Sequence, residues 1–224
     1  MATLAQLESA LDQLLDHPAG LKHYQLVRVV EEKAYEAYVF GLCLRAVREL
    51  KGAPTLRGIS GPPTPFVFRG APGQIHSTYR NYGYATFSLG THQFEIHCGV
   101  EFKGTSGMTH EIDVCIMKAA EASACRLNPA DPKAASVVAA WECKFYSGGL
   151  DKSLGRAFVG LMSDLGTKHR ISGMCSNNSH QGLKDYFSPK NRPDPHFQLS
   201  PLYPDNEKLF VSELAVALRK MVSG

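Results

Sequence analysis

The run VVAAWECKFY, residues 137–146, is apolar on both faces until Glu142 and Lys144. A short run of this kind, followed by the breaker sequence SGG, is typical of a central β-strand that is buried on both sides. Residues two positions apart in a strand project from the same face, so Glu142 and Lys144 are expected to lie side by side. Because charged groups are costly to bury, the strand predicts a compensating partner, such as a metal ion or an opposite charge.

A second apolar strand is predicted over residues 111–117, and it carries Asp113. Isoleucine and valine recur at every second position of this run, as a strand requires, and an aspartate among them is an expensive residue to bury. A hairpin between the two strands would put Asp113 alongside Glu142. The sequence therefore predicts a pocket that holds two carboxylates and a lysine.

Such a pocket suits metal-assisted chemistry on phosphate esters. Carboxylate oxygens are ligands that Mg²⁺ or Mn²⁺ prefer, and these ions keep open positions for phosphate oxygens. A bound ion can lower the pKa of a water molecule and stabilise the charge that builds on the phosphorus oxygens. The Lys144 ammonium could neutralise the transition state or hold the attacking water.

The rest of the chain alternates helical and strand patterns with loops rich in Gly and Pro. Residues 94–102 alternate apolar and polar side chains, which predicts a half-buried strand whose polar face includes Glu95 and His97. The stretch STYRNYGY, residues 77–84, is interpreted as a loop that could grip a nucleic acid, although aromatic loops are common without any ligand. Further helices are predicted over about residues 4–15, 21–50, 154–165, 182–187 and 207–221, and further strands over residues 66–68, 171–175 and 197–202.

These elements predict an α/β fold with a mixed central β-sheet flanked by helices. The chain has 224 residues, the size of one domain, so we expect a single domain over residues 1–224 with the N-terminal helices of residues 1–50 packed on the core. Its 44% apolar and 20% charged residues lie close to the globular average, which excludes a disordered or fibrous chain.

Several signals limit the classes of protein. Six cysteines occur without a C-x-x-C pair, which favours reduced core residues in a cytoplasmic protein and argues against a zinc site. No apolar run approaches the roughly 18 residues of a membrane span, and the N-terminus carries no export signal, so we expect no membrane association. The formal charge of +3 is too small to identify a nucleic-acid partner by itself.

Asp113, a gap of 28 residues and then Glu142-Cys143-Lys144 resemble the D…(D/E)-x-K signature of the PD-(D/E)xK nucleases. The resemblance covers residues 32–176, in the order helix, three strands, helix, strand, and it implies a restriction-endonuclease-like core. Ile112 stands where the family name has proline, a position that is loose within the family.

The resemblance also implies the roles of individual residues. It makes Lys144 the catalytic lysine, and Asp113 and Glu142 both catalytic residues and metal ligands. An acidic residue on the first helix joins the site in many relatives, and either Glu36 or Glu32 matches that place. The remaining candidates are the backbone carbonyl of Cys143 as a further ligand, and Glu111 and Glu101 as secondary acids whose other interpretation is a solvated strand face.

By this resemblance the chain is a Mg²⁺- or Mn²⁺-dependent nuclease, most plausibly a DNA endonuclease of restriction, repair or phage defence. DNA is favoured over RNA, a homodimer or higher homo-oligomer is expected because duplex cleavage is simplest with two symmetric sites, and an activating partner or ligand is left open. One alternative is a non-catalytic nucleic-acid-binding or scaffold module on the same fold. Another is an enzyme that uses the buried acids on a small molecule.

Overall fold

Six α-helices and nine strands make up the part of the chain that the computed structural model describes, which is residues 1–16, 23–148, 152–166, 171–188 and 194–223. None of the helices in these ranges combines the length and the apolar character needed to cross a bilayer. The elements are, in chain order, α1 (Leu4–Leu14), β1 (Tyr24–Leu26), α2 (Glu31–Glu49), β2 (Thr55–Gly58), β3 (Phe66–Phe68), β4 (Gly83–Leu89), β5 (His92–Lys103), β6 (Thr109–Lys118), α3 (Ala119–Leu127), β7 (Val137–Lys144), α4 (Lys152–Asp164), β8 (Ile171–Ser176), α5 (Gln181–Phe187), β9 (Asp194–His196) and α6 (Pro204–Ser223).

Seven strands form the central sheet in the order β2-β4-β5-β6-β7-β8-β9. Neighbouring strands from β2 to β7 are antiparallel, whereas β8 joins β7 in parallel and β9 joins β8 in parallel. β1 and β3 pair in parallel outside this sheet. The predicted class, an α/β fold with a mixed central sheet flanked by helices, is confirmed at this level, and most of the sheet is antiparallel.

Two apolar layers enclose the sheet. On one side α2 packs against β5, β6 and β7 and is itself contacted by α1 and α6, so that it is buried from Ala34 to Val47 almost without interruption. On the other side α3, α4 and α5 contribute a second core cluster. β7 lies between the layers, with Val138 and Trp141 in the first and Val137 and Ala140 in the second. This is why its sequence is apolar on both faces.

The second helix begins later than predicted. The helical pattern was expected from residue 21, but α2 starts at Glu31, because Tyr24–Leu26 form β1 and pair with Phe66–Phe68. The predicted helix break at residues 17–20 lies outside the described residues. Helix α1, strand β3, the central strands, helices α4 and α5 and strand β8 agree with their predictions to within a few residues.

Other expectations for the secondary structure were wrong or incomplete. The strand predicted over residues 197–202 is absent, because the pairing segment is Asp194–His196 and the chain then turns at Ser200 into α6. β2, β4 and α3 were not predicted, and Tyr84 belongs to β4 rather than to a loop.

The polar face predicted for β5 is not solvated at its start. Glu95 and His97 are 3% and 2% exposed. Arg126 of α3 donates to both Glu95 oxygens at 2.6 and 2.7 Å, and His97 Nε2 lies 2.8 Å from Glu95 Oε2. The Tyr84 ring stacks on His97, and the Arg126 guanidinium lies 4.7 Å from the Tyr84 ring centre. This cluster joins α3 to the sheet through a compensated charge.

Replacing Arg126 with alanine is expected to lower the free energy of unfolding by about 3 kcal/mol, because it leaves the Glu95 carboxylate buried without its ionic partner. Urea unfolding measures the change. The double variant Arg126→Ala/Glu95→Met should recover most of the loss, since no charge then remains to be compensated. A double variant no more stable than Arg126→Ala would show that packing, and not charge, holds α3 in place.

Candidate active site

The structure brings Asp113, Glu142 and Lys144 together at the centre of the sheet. Val114 pairs with Trp141 across β6 and β7, which puts Asp113 next to Glu142. Asp113 Oδ2 accepts a 2.7 Å hydrogen bond from the Cys143 backbone N–H. Lys144 Nζ lies 2.5 Å from Glu142 Oε1 and 4.0 Å from Asp113 Oδ2. The two acids and the lysine therefore lie together, and their catalytic and metal-binding roles, with the Cys143 carbonyl as a ligand, stay predictions.

A local twist turns Asp113 toward α2. Gly99, opposite Asp113 in the β5–β6 register, has φ +58°, a backbone conformation that side chains with a Cβ rarely adopt. On one side of this point Cys98 and Val114 face the α2 layer, and beyond it Val100 and Ile112 face the other layer. Asp113 lies where the two strands change sides.

Of the two candidate acids on the helix, Glu36 reaches the cluster and Glu32 does not. Glu36 is 6% exposed and interacts electrostatically with Asp113, whereas Glu32 is exposed to solvent. Both Glu36 oxygens accept hydrogen bonds from Lys33 Nζ, at 2.7 and 2.9 Å. Lys33 was not among the predicted site residues, although its spacing of three residues from Glu36 on a helix was a usable signal.

Glu111 adds a fourth carboxylate. Its Oε1 atom is buried and has no hydrogen-bond partner among the described residues, and Lys33 Nζ lies 4.0 Å from it. Glu101 is the cross-strand partner of Glu111 and is partly exposed at the rim of the cluster. We call Glu36, Glu111, Asp113, Glu142, Lys33 and Lys144 the acid cluster.

Burial and mutual repulsion change the protonation of these groups. Burial, and then the neighbouring Glu142 and Glu36, hold the pKa of Asp113 well above its ordinary value. Burial raises the pKa of Glu36 to about 7, although Lys33 acts in the opposite direction. Burial alone would lower the pKa of Lys144, but the carboxylates of Glu142 and Asp113 outweigh it and raise this pKa. The acids therefore hold their protons to higher pH than free carboxyl groups do, and only when all of them are ionised does their charge exceed that of the lysines.

The donor atoms of the acid cluster fit a hard divalent cation. When all four carboxyl groups are ionised, they and the two ammonium groups sum to a formal charge of −2, and Glu111 Oε1 accepts no hydrogen bond from the described residues. Within the described ranges, no three His, Cys, Asp or Glu side chains are arranged as a ready metal cage. Glu142 and Glu36 instead point to Lys144 and Lys33. The cluster therefore offers the right ligand chemistry with its carboxylates paired to lysines.

Asp113→Asn is expected to stabilise the fold in the absence of divalent ions. Asparagine keeps an oxygen that can accept the Cys143 N–H, but it removes a carboxyl group whose ionisation burial, Glu142 and Glu36 all oppose. The free energy of unfolding at pH 8 in EDTA should rise by about 0.5–2 kcal/mol. Asp205→Asn, at a highly exposed position, is the matched control and should change nothing. A destabilised Asp113→Asn protein would contradict the repulsion.

The raised pKa of Glu36 gives stability a defined pH dependence. The folded state holds this proton up to about pH 7, whereas an unfolded glutamic acid loses it near its ordinary pKa of 4.5. The folded state binds more protons between these values, so stability falls as pH rises from about 4.5 to 7, by at most about 3 kcal/mol. Glu36→Gln should reduce this fall in EDTA, leaving the part that Asp113 contributes, and Glu32→Gln should leave it unchanged. Parallel profiles for all three proteins would refute the assignment.

Comparison of the chain with protein-family models, with curated proteins and with solved structures found no match.

Proposed function

We propose that the chain is a metal-dependent nuclease with a restriction-endonuclease-like core, and that it hydrolyses phosphodiester bonds in DNA. The observation that carries the proposal is the acid cluster, in which Asp113 and Glu142 lie side by side with Lys144 and a net negative charge remains. Carboxylates collected in this way are costly unless a cation joins them.

The order of the elements supports the same interpretation. The antiparallel strands β5, β6 and β7 are followed by α4 and by β8, which runs parallel to β7, and α2 precedes them. With β2, β3, β4 and α3 as intervening elements, this matches the order of helix, three strands, helix and strand that the resemblance implies. Asp113 lies on the second of the three strands, Glu142 and Lys144 lie on the third, and Glu36 lies on the helix.

Asp113 and Glu142 would hold the metal ion, with the Cys143 carbonyl and Glu36 as further ligands, and Glu111 has a free oxygen beside them. When bound, Mg²⁺ or Mn²⁺ supplies Lewis acidity toward the scissile phosphate and activates water. Lys144 would bring a positive charge and N–H donors to the phosphate oxygens. The apolar layers around β7 exclude bulk water, which strengthens each of these interactions.

An exposed loop offers contacts for the rest of the substrate. Gly73 forms backbone hydrogen bonds with Gly99 and Glu101, which ties the segment after β3 to the rim of the acid cluster. Further along this segment the Tyr79 ring is 81% exposed, and the Arg80 guanidinium lies 5.6 Å from its centre. An exposed aromatic ring with an adjacent cation is suited to stacking on a base and contacting a phosphate.

The proposal includes a symmetric assembly and a reducing compartment. Two copies related by a twofold axis would present two acid clusters to the two strands of a duplex. The six cysteines are buried and free, in agreement with a cytoplasmic location. The preference for DNA over RNA comes from the resemblance.

A non-catalytic nucleic-acid-binding module on the same fold is the second candidate. The pairing of Glu142 with Lys144, and of Glu36 with Lys33, favours it, because these ion pairs satisfy the carboxylates without metal. Its binding of nucleic acid would ignore EDTA and would survive Lys144→Ala.

Cleavage assays decide between the two candidates. Plasmid, linear duplex, single-stranded DNA and RNA are incubated with Mg²⁺, Mn²⁺ or EDTA. We expect cutting that requires a divalent ion and falls by about 100-fold or more in Asp113→Ala and Lys144→Ala, since removal of one charge-stabilising group typically costs that much. Asp205→Ala and Lys208→Ala, on the exposed surface of α6, should cut like the native chain.

Metal binding is measured separately from cutting. Mn²⁺ should raise the melting temperature of the native chain and leave that of Asp113→Asn unchanged, because binding to the folded state alone stabilises it. Metal-independent nucleic-acid binding without cutting on any substrate, and without this stabilisation, would overturn the nuclease proposal in favour of the binding module.

A further inference from the structure

A cleft of about 1020 Å³ lies where β5 begins and β6 ends, far from the acid cluster. Its wall includes Glu95 in β5 and Lys118 at the end of β6, whereas the acid cluster uses Glu111 and Asp113 near the hairpin turn of the same two strands. Arg126 lines the cleft and belongs to α3, on the side of the sheet opposite α2. The cleft is thus separate from the acid cluster by its position along these strands.

Positive charge dominates this cleft. Lys51, Arg57, Lys118 and Arg126 line it, and Glu95 is its single acidic side chain. Glu95 is already neutralised by Arg126 at 2.6 and 2.7 Å. The cleft therefore carries a formal charge of +3, the same value as the whole chain.

Three of these cations have no acidic partner. Lys51, Arg57 and Lys118 form no salt bridge within the described part of the chain, and all three are exposed. Like charges around one cleft repel one another, and a bound anion removes that repulsion while it gains charge-assisted hydrogen bonds. A solvated strand face, in contrast, would usually mix charges of both signs.

Neutral donors complete the lining. Hydroxyl groups of five side chains border the cleft. The start of α3 also lies there, and its N-cap residue, Lys118, makes no side-chain capping hydrogen bond. Backbone N–H groups at a helix start favour anions, as an addition to the cationic side chains. The hydroxyl-bearing residues are Thr55, Thr86, Ser88, Thr91 and Ser123.

The fourth cation is fixed in place. Arg126 is held by the buried Glu95 carboxylate and lies 4.7 Å from the Tyr84 ring centre, and Tyr84 in turn stacks on His97. A guanidinium held on a buried support loses little freedom on binding a ligand, which favours affinity. Of the aromatic side chains that line the cleft, Phe87 and Phe94 are buried and His92 is exposed, so cationic groups outnumber the available ring faces, and phosphate recognition is favoured over base stacking.

We propose that this cleft binds a multiply phosphorylated small molecule of about nucleotide size. Its volume lies at the upper end of the roughly 300–1,000 Å³ range of small-molecule sites. Its cations and hydroxyl groups match phosphate oxygens. This inference does not rest on the proposed nuclease function.

Isothermal titration of the full chain at physiological salt, with inorganic tripolyphosphate and with ATP as probes, tests the proposal. We expect one site per chain, and at least about tenfold weaker binding by Arg57→Ala/Lys118→Ala, since each lost charged contact is worth about a factor of ten. Lys208→Ala/Lys220→Ala removes the same charge from exposed positions of α6 and should bind like the native chain.

The probes also separate the sources of phosphate. Tighter binding of ATP than of tripolyphosphate assigns a nucleotide, and equal binding assigns the phosphate chain alone; both support the site. Equal weakening by the two double variants would overturn it, because general charge would then explain the binding. Tighter, competing binding of a short single-stranded oligonucleotide would replace the small molecule by a nucleic-acid strand and also refute the proposal. Unchanged melting curves without probe establish that both variants fold.

Discussion

The burial of the Asp113 charge between α2 and the centre of the sheet is the constraint on which the rest of the architecture depends. Its nearest charged neighbours include the carboxylates of Glu142 and Glu36, so the local environment opposes ionisation instead of rewarding it. One backbone N–H and the Lys144 ammonium offset part of this cost. The remainder has to be supplied by the apolar layers, which hold α2, β6 and β7 in a fixed arrangement.

The same arrangement favours cation binding at the acid cluster. Water is excluded around β7, so the field of the uncompensated carboxylates is screened less than it would be at the surface. Lys33 and Lys144 supply the positive charges of the cluster, but Glu111 Oε1 accepts no hydrogen bond from the described residues. Under the proposed function, a bound divalent ion would recover part of this electrostatic free energy, and the stability of the fold would then depend on the ion.

The sequence predicted the parts of the site that lie on strongly patterned strands. Glu142, Lys144 and Asp113 interrupt apolar runs, and a two-residue period fixes which of them share a face. It could not predict that Lys33 and Glu36 would meet Glu111, because that contact depends on how α2 crosses the sheet. Glu95 and His97 looked like a solvated face for a similar reason: their partner, Arg126, lies on α3, a helix that no pattern in the sequence predicted. β2 and β9 are short edge strands, and tertiary pairing decides such segments.

The β5–β6 hairpin carries an excess of acidic groups near its turn and an excess of cationic groups at its open end. The distance between the two ends keeps these charges independent. The carboxylates Glu101 and Glu111 face each other near its turn, whereas Glu95 and Lys118 lie at its open end. Six residues of strand separate Glu95 from Glu101, which is roughly 20 Å, and the Debye length at physiological salt is only about 8 Å. Lysines and arginines of the cleft therefore do not neutralise the acid cluster through solvent. Each end of the hairpin therefore keeps its excess charge. The two sites proposed above, for an anion at the open end and a cation near the turn, would not compete.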